Sequence, residues 1–244
     1  MIPSTADAIG LSGACLMLQG RRVLHDISLS LTESRIGIIG RNGSGKTTLL
    51  RLIAGLVAPT RGDVRVNGMD PVRNRKAMLG ALGILFQNPD HQILFPTVIE
   101  ELTFGLRQIG LTADEADRRA SAALAQDGRA AWREVPVHHL SQGQRHYLCL
   151  MAVLLMEPGT ILLDEPLAGL DLPTQLRLSR RFASLPQRLI TISHDPAAVR
   201  GCERVIWLEA GQVRADGAAG PVLATFEAEM TRIGVADADT DLSD

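Results

Sequence analysis

Apolar positions fall into short blocks separated by Gly, Pro and Asn turns. Ala14–Leu18, a turn at Gln19-Gly20, and Val23–Leu31 with alternating apolar positions predict an antiparallel hairpin. Arg35–Ile39 is a short apolar strand, and 48–54 carries helical spacing ending at Gly55. Val64–Val66 runs into an Asn67-Gly68 turn, and Leu82–Phe86 is a further strand ending at Gln87. From Asn88 the texture changes: Val98–Gln108 and Ala113–Ala125 are amphipathic helices, and no strand candidate lies among them. A long apolar helix then ends at Glu157-Pro158. The strands Thr160–Leu163, Leu189–Ile192 and Val205–Leu208 follow, with a helix over Leu172–Leu185 and a hairpin turn at Ala210-Gly211.

This pattern predicts a strand-rich α/β lobe interrupted by a helical lobe at about 88–157. Met1–Gly13 reads as a loose leader. The segment from 225 reads as an acidic tail, with Glu227, Glu229, Asp237, Asp239, Asp241 and Asp244. The longest apolar run, Tyr147–Met156, is about half the roughly 20 residues that a membrane span needs. A basic n-region with a long apolar core is not found at the start. With 25 basic and 27 acidic residues the chain lacks the basic excess of a nucleic-acid surface. Cys15, Cys149 and Cys202 are scattered and fit a reducing compartment.

Between strand 35–39 and helix 48–54 stands GRNGSGKT, Gly40 to Thr47. It satisfies G-x-x-x-x-G-K-[ST], which arises by chance in about one chain of this length in a hundred. The strand-to-helix context makes chance rarer still. Gly40, Asn42, Gly43, Ser44 and Gly45 would wrap backbone N–H groups around phosphate oxygens, with Thr48 in the first helical turn behind them. Lys46 would reach the β- and γ-phosphates, and the Thr47 hydroxyl would ligate Mg²⁺. The chain is therefore expected to bind a nucleoside triphosphate. Thr160–Glu165 is an apolar strand ending in two carboxylates. Asp164 is placed to hold the metal, and Glu165 to act as general base toward water. Leu140–Gln144 reads LSQGQ, with Ser141 as a helix cap and Gly143 permitting close approach in the first turn. Two distant helix starts cannot serve one γ-phosphate unless a second subunit supplies one of them.

These motifs, in order with Gln87, Leu170-Asp171 and His194, resemble the nucleotide-binding subunit of ATP-binding cassette (ABC) transporters over nearly the whole chain to about Ala224. The resemblance implies a RecA-like P-loop NTPase core (14–87 and 158–216) with an antiparallel β subdomain and an inserted helical subdomain. It implies two copies closing head to tail around two ATP molecules with Mg²⁺. Ser141, Gly143 and Gln144 would contact the ATP of the opposite subunit, and Gln87 would sense Mg²⁺ and water. Asp171 would couple the sites, and His194 would hold the γ-phosphate. The chain departs from the family pattern at two places. An adenine-stacking aromatic before the first turn is replaced by Met17 and Leu18, so base selectivity is expected to be loose. Arg145-His146-Tyr147 also replaces the usual residues after the signature.

Phe86–Gln92, Pro96–Val98 and Glu100–Gly105 resemble the ATPases of energy-coupling factor importers of vitamins, cobalt or nickel, with the biotin branch favoured. The partners implied are a transmembrane coupling subunit and a substrate-binding membrane subunit, at the cytoplasmic face of the membrane. Asp90 is expected to pair with an arginine of the coupling subunit, with Ile93 and Leu94 lining its groove. The alternatives weigh less. A soluble ABC ATPase acting on ribosomes or DNA would carry paired cassettes or a long insertion, and a P-loop kinase would lack LSQGQ. A conventional importer ATPase would not share the wording from Gln87 to Gly105.

Overall fold

The computed structural model describes residues 8–235. Residues 1–7 of the expected leader and the acidic residues from Asp237 onward lie outside them. The chain opens with β1 (Ile9–Leu18) and β2 (Arg21–Leu31), followed by β3 (Arg35–Ile39), α1 (Lys46–Ile53) and β4 (Arg61–Val66). Next come α2 (Arg75–Ala81) and β5 (Leu82–Leu85), then α3 (Val98–Gln108), α4 (Ala113–Gln126) and α5 (Gln142–Leu155). After these the chain returns to β6 (Thr160–Asp164), α6 (Leu172–Ala183), β7 (Arg188–Ser193) and α7 (Pro196–Val199). It finishes with β8 (Arg204–Glu209), β9 (Gln212–Ala218) and α8 (Ala219–Val235).

A 6-stranded sheet runs β5-β6-β7-β3-β8-β9, parallel from β5 to β8 and antiparallel at the β9 edge. Its central strands are mostly apolar because both faces are covered. Along β6, Leu162 enters the core shared with α1, while Ile161 and Leu163 face α5 and α6. Along β8, Ile206 and Leu208 face the α1 side, whereas Val205 and Trp207 face α7 and α8. The period of two thus sorts one strand into two cores. A 3-stranded antiparallel sheet, β2-β1-β4, packs its apolar face on the other side of α1. Leu49, Leu50, Leu52 and Ile53 of that short helix are completely or almost completely buried between the two sheets. The helices α3, α4 and α5 surround a core of their own, built from Val98, Leu102, Leu106, Ala120, Leu124 and Leu148. Capping boxes at Thr97/Glu100 and Thr112/Glu115 start α3 and α4.

Two expected boundaries are corrected. The leader reading ended at Gly13, but β1 begins at Ile9, which pairs with Leu31 and Val66 and is fully buried. The glycines at 10 and 13 and the shift in register after Leu11 break the alternation that marks a strand. The tail reading began at 225, but α8 continues to Val235. Phe226 meets Trp207 edge to face at 5.4 Å, and Glu227 and Glu229 are paired with Arg200 and Arg232. The helix α2 was not anticipated; it buries only Met78 and Ala81.

Candidate functional site

The parallel register brings the carboxyl ends of β5, β6, β7 and β3 to one edge: Leu85 pairs with Leu163, Asp164 with Ile192, and Ile39 with Ser193. The residues following these strands therefore converge, as ligand-binding residues do in open α/β sheets. Gly40 follows β3, and a Cβ there would lie 2.1 Å from Leu208 O, so only glycine fits. Gly43 and Gly45 hold φ of 78° and 101°, left-handed values that turn the loop into α1. The first turn of α1 has no side-chain cap. Its N–H groups are left as anion donors. Ser44 Oγ is buried with no partner among the described residues, an orphan that a phosphate oxygen would satisfy. Asn42 and Gly43 are exposed beside it, and Thr48 is half-buried one turn into α1.

Lys46 is 6% exposed and donates from Nζ to Gly40 O at 2.7 Å and to Arg41 O at 2.9 Å. Burial pushes its pKa down, while Glu165 and Asp164 pull it up. Thr47 Oγ1 donates to Asp164 Oδ1 at 3.1 Å. Asp164 is 5% exposed, and burial holds its carboxyl above the usual range against the Thr47 hydrogen bond. A hydroxyl and a carboxylate meeting beside a phosphate loop form a hard oxygen donor pair of the kind that suits Mg²⁺. Glu165 sits at φ 49°, an unfavoured conformation for this residue type, with its N–H bonded to Ile192 O at 3.0 Å. Its side chain turns to the end of β7, where Ser193 Oγ donates to Oε2 at 3.2 Å and His194 reaches Oε1. Gln87 follows β5 and is exposed.

The second element expected to bind an anion lies elsewhere. Ser141 Oγ accepts from Gln144 N at 3.3 Å, and Gln144 Oε1 accepts from Ser141 N at 2.7 Å, a closed capping box at the start of α5. A Cβ on Gly143 would come within 2.8 Å of Thr174, the residue whose N–H Asp171 caps at 3.0 Å. Ser141, Gly143, Gln144 and Thr174 line a cavity of about 210 Å³ with Arg129, Trp132, Tyr147 and Arg177. None of the phosphate-loop residues lines it.

Sequence reasoning missed one wall of the phosphate-loop region. A cleft of about 650 Å³ is bounded by Arg41, Asn42 and His194 and by Phe226, Glu227, Met230 and Thr231 of α8. The apolar residues of α8 at three- and four-residue spacing carried that signal. At the other side, Gly45 packs near Leu24, and the adjoining hairpin end exposes Met17 at 45% and Leu18 at 41%. Asp90, expected to meet an arginine of a partner, has an arginine beside it in this chain as well. Its carboxylate already pairs within this chain, Oδ1 lying 3.0 Å from Arg145 Nε. Of the two groove residues, Ile93 packs into the helical core, while Leu94 is 68% exposed.

The fold and this loop define a P-loop nucleoside triphosphatase. The ABC transporter family profile matches residues 24–168. The "Biotin transport ATP-binding protein BioM" of Rhodobacter capsulatus is 50% identical over 232 residues, covering 95% of this chain and 99% of that protein. The protein of the same name from Rhizobium etli is 38% identical over 218 residues, covering 89% and 97%. Among solved structures, cbiO1 of Clostridium perfringens, described as part of the ABC transporter complex cbiONQ, aligns with a TM-score of 0.75. It is 28% identical and covers 93% of this chain and 94% of its own. The chain belongs to the ABC transporter family, as an ATPase whose hydrolysis is coupled to transport. Among the described residues no helix is long and apolar enough to cross a membrane.

Proposed function

We propose that this chain is the ATPase of an energy-coupling factor importer of biotin, bound peripherally at the cytoplasmic face of the membrane. The observation that carries this reading is the 50% identity to a biotin transport ATPase along 95% of the chain. Two copies close around two ATP, assisted by a transmembrane coupling subunit and a substrate-binding membrane subunit. The chain divides into the lobes 14–87 with 158–216 and about 88–157.

The residues divide the chemistry as follows. Lys46 trades its bonds to Gly40 O and Arg41 O for phosphate oxygens, while the backbone of 40–45 and the start of α1 supply further donors. Magnesium, when bound, neutralises charge on the β- and γ-phosphate oxygens. Thr47 and Asp164, which already meet, would hold it, with Gln87, which follows β5, as a further ligand. Glu165, held by Ser193 and His194, would accept the proton of the attacking water, and His194 would hold the γ-phosphate. Ser141, Gly143 and Gln144 serve the nucleotide of the second copy, with Asp171 joining the two sites.

The test is reconstitution of the chain with its membrane partners in proteoliposomes. ATP-dependent uptake of labelled biotin, abolished by Glu165→Gln, is expected. Uptake of cobalt or nickel without biotin would overturn the substrate assignment.

A further inference from the structure

The segment carrying Gln87 is seated on α5 at successive points. Arg145 Nε lies 3.0 Å from Asp90 Oδ1, and the same guanidinium donates from Nη1 to Leu140 O at 2.8 Å. One side chain therefore ties the Gln87 segment to the residue preceding the Ser141 cap. His146 is fully buried, and backbone groups of Gln142 and Gln87 face its ring. One helical turn beyond Arg145, Cys149 Sγ lies 4.0 Å from Pro89 O. Positions 145, 146 and 149 share one side of the helix. The segment is also tied to itself: Asn88 Oδ1 accepts from Asp90 N at 2.9 Å, and Gln92 Oε1 accepts from Phe86 N at 3.2 Å. Its ends are closed on each other and its middle rests on α5.

The ion pair alone has little energetic weight, because the Asp90 side chain is 58% exposed. What it fixes is register. The ring of His146 fills a slot in which neither nitrogen completes a hydrogen bond among the described residues. Its contribution is shape and proximity to the Gln87 backbone. Arg145 and His146 are also the residues at which the sequence departs from the family pattern, and they form this contact.

We propose that Arg145 and His146 are positioning residues that hold Gln87 in fixed register with Ser141, so that the Gln87 segment and the start of α5 move as one body. This rests on the reading above, in which Gln87 serves the chain's own nucleotide and Ser141 that of the second copy. One rigid body then reports on both nucleotides. A displacement imposed at Ser141 by one site reaches Gln87 at the other, and the coupling is reciprocal.

The experiment uses the full-length chain in its two-copy, ATP-hydrolysing form. Arg145→Asp and His146→Ala are each expected to lower kcat about threefold to tenfold with little change in KM for ATP. Both are also expected to raise the Mg²⁺ concentration needed for half-maximal rate and to bring the Hill coefficient for ATP toward one. The reversed pair Asp90→Arg with Arg145→Asp should regain most of all three. A folded Arg145→Asp chain with unchanged Mg²⁺ dependence and Hill coefficient overturns the proposal, even if kcat falls. So does a reversed pair that recovers none of them. If His146→Ala loses its cooperative unfolding transition, the exposed ion pair carries the test. Gln87→Ala is measured alongside. Normal Mg²⁺ dependence there removes the role assigned to Gln87, whereas an impaired Gln87→Ala beside normal position-145 and position-146 variants overturns the positioning claim alone.

Discussion

Glu165 and His194 meet twice at one atom: the backbone N–H of His194 donates to Glu165 Oε1 at 2.9 Å, and the His194 ring Nδ1 lies 2.8 Å from the same oxygen. With Ser193 on the other oxygen, the carboxylate is held at both ends. Glu165→Gln keeps the size of the side chain but removes its capacity to accept a proton. ATP binding is expected to persist while turnover falls by roughly a hundredfold or more. An ATP-bound two-copy form should accumulate on size-exclusion chromatography. Near-normal steady-state hydrolysis would remove Glu165 from the role of base.

Ser141 lies in a cavity apart from the phosphate loop, which gives a complementation test. Ser141→Arg should bind ATP as a monomer yet fail to hydrolyse it. Lys46→Ala should lose nucleotide at its own loop. A mixture of the two variants forms mixed pairs with one complete composite site, and part of the ATPase activity should return. Loss of ATP binding by the Ser141→Arg monomer contradicts the assignment across subunits.

The exposed Leu94 is presented by a buried carboxylate. Glu101, 6% exposed, accepts the N–H groups of Leu94 at 2.9 Å and Phe95 at 3.0 Å, while Phe95 packs on Phe104 at 5.0 Å between ring centres. A large apolar side chain held out in this way fits a partner surface. Leu94→Asp should reduce co-purification with the membrane subunits and leave ATP binding by the separate chain intact. Undiminished assembly and transport would assign Leu94 no part in docking.

Arg204 is the structural tie at the sheet's far edge. Its Nε and Nη2 meet the two Asp216 oxygens at 2.7 Å each, and Nη1 reaches Ser30 O at 2.6 Å and Glu33 at 3.1 Å. The side chain is 19% exposed, and these bonds raise its already high pKa. Arg204→Ala should cost about 2 kcal/mol or more, because it leaves two part-buried carboxylates without their partner. Denaturant unfolding measures it, and a loss below about 0.5 kcal/mol would show the network to be of surface strength.

Burial pushes the Cys149 thiol from 9.0 to about 12 and the Cys202 thiol to about 11. The thiolate is the reactive form, so neither should be alkylated by iodoacetamide at pH 8 in the folded chain, and both should react after unfolding. A raised thiol pKa stabilises the fold fully below pH 9.0, and that contribution is lost as pH rises toward about 12. Mass spectrometry of the labelled protein gives the answer, and rapid labelling of Cys149 in the native state would contradict its burial.

The sequence disclosed what is local. The phosphate loop is a contiguous strand, turn and helix, and β6 is a contiguous apolar strand ending in Asp164 and Glu165. Both could be read before any packing was known. The helical segment was legible for the same reason, since α3 and α4 each carry an amphipathic repeat. What escaped depended on partners distant in the chain. The first residues of β1 are a strand because Leu31 and Val66 flank Ile9, not because their glycine-interrupted spacing demands it. The outer helix α8 earns its place by burying Phe226 on Trp207. Asp90 looked like a group in search of an arginine from another subunit. Within this chain it meets Arg145, next to the motif already singled out, and no local rule links the two positions.

The capping box at Ser141 turns recognition there into an exchange. The hydroxyl already accepts the Gln144 N–H, and the Gln144 side chain already accepts the Ser141 N–H. An arriving phosphate must outcompete an occupant that the helix carries with it, and a helix cap is worth about 1 kcal/mol. In the proposed two-copy arrangement, a multiply charged phosphate presented by the second subunit would compete better for these donors than a single neutral acceptor. Once that charge departs, the serine and glutamine reclaim each other at no cost in diffusion. If Ser141 serves the opposing subunit as proposed, the start of α5 would behave as a self-resetting latch, with release favoured by a bond that re-forms within a single turn of helix.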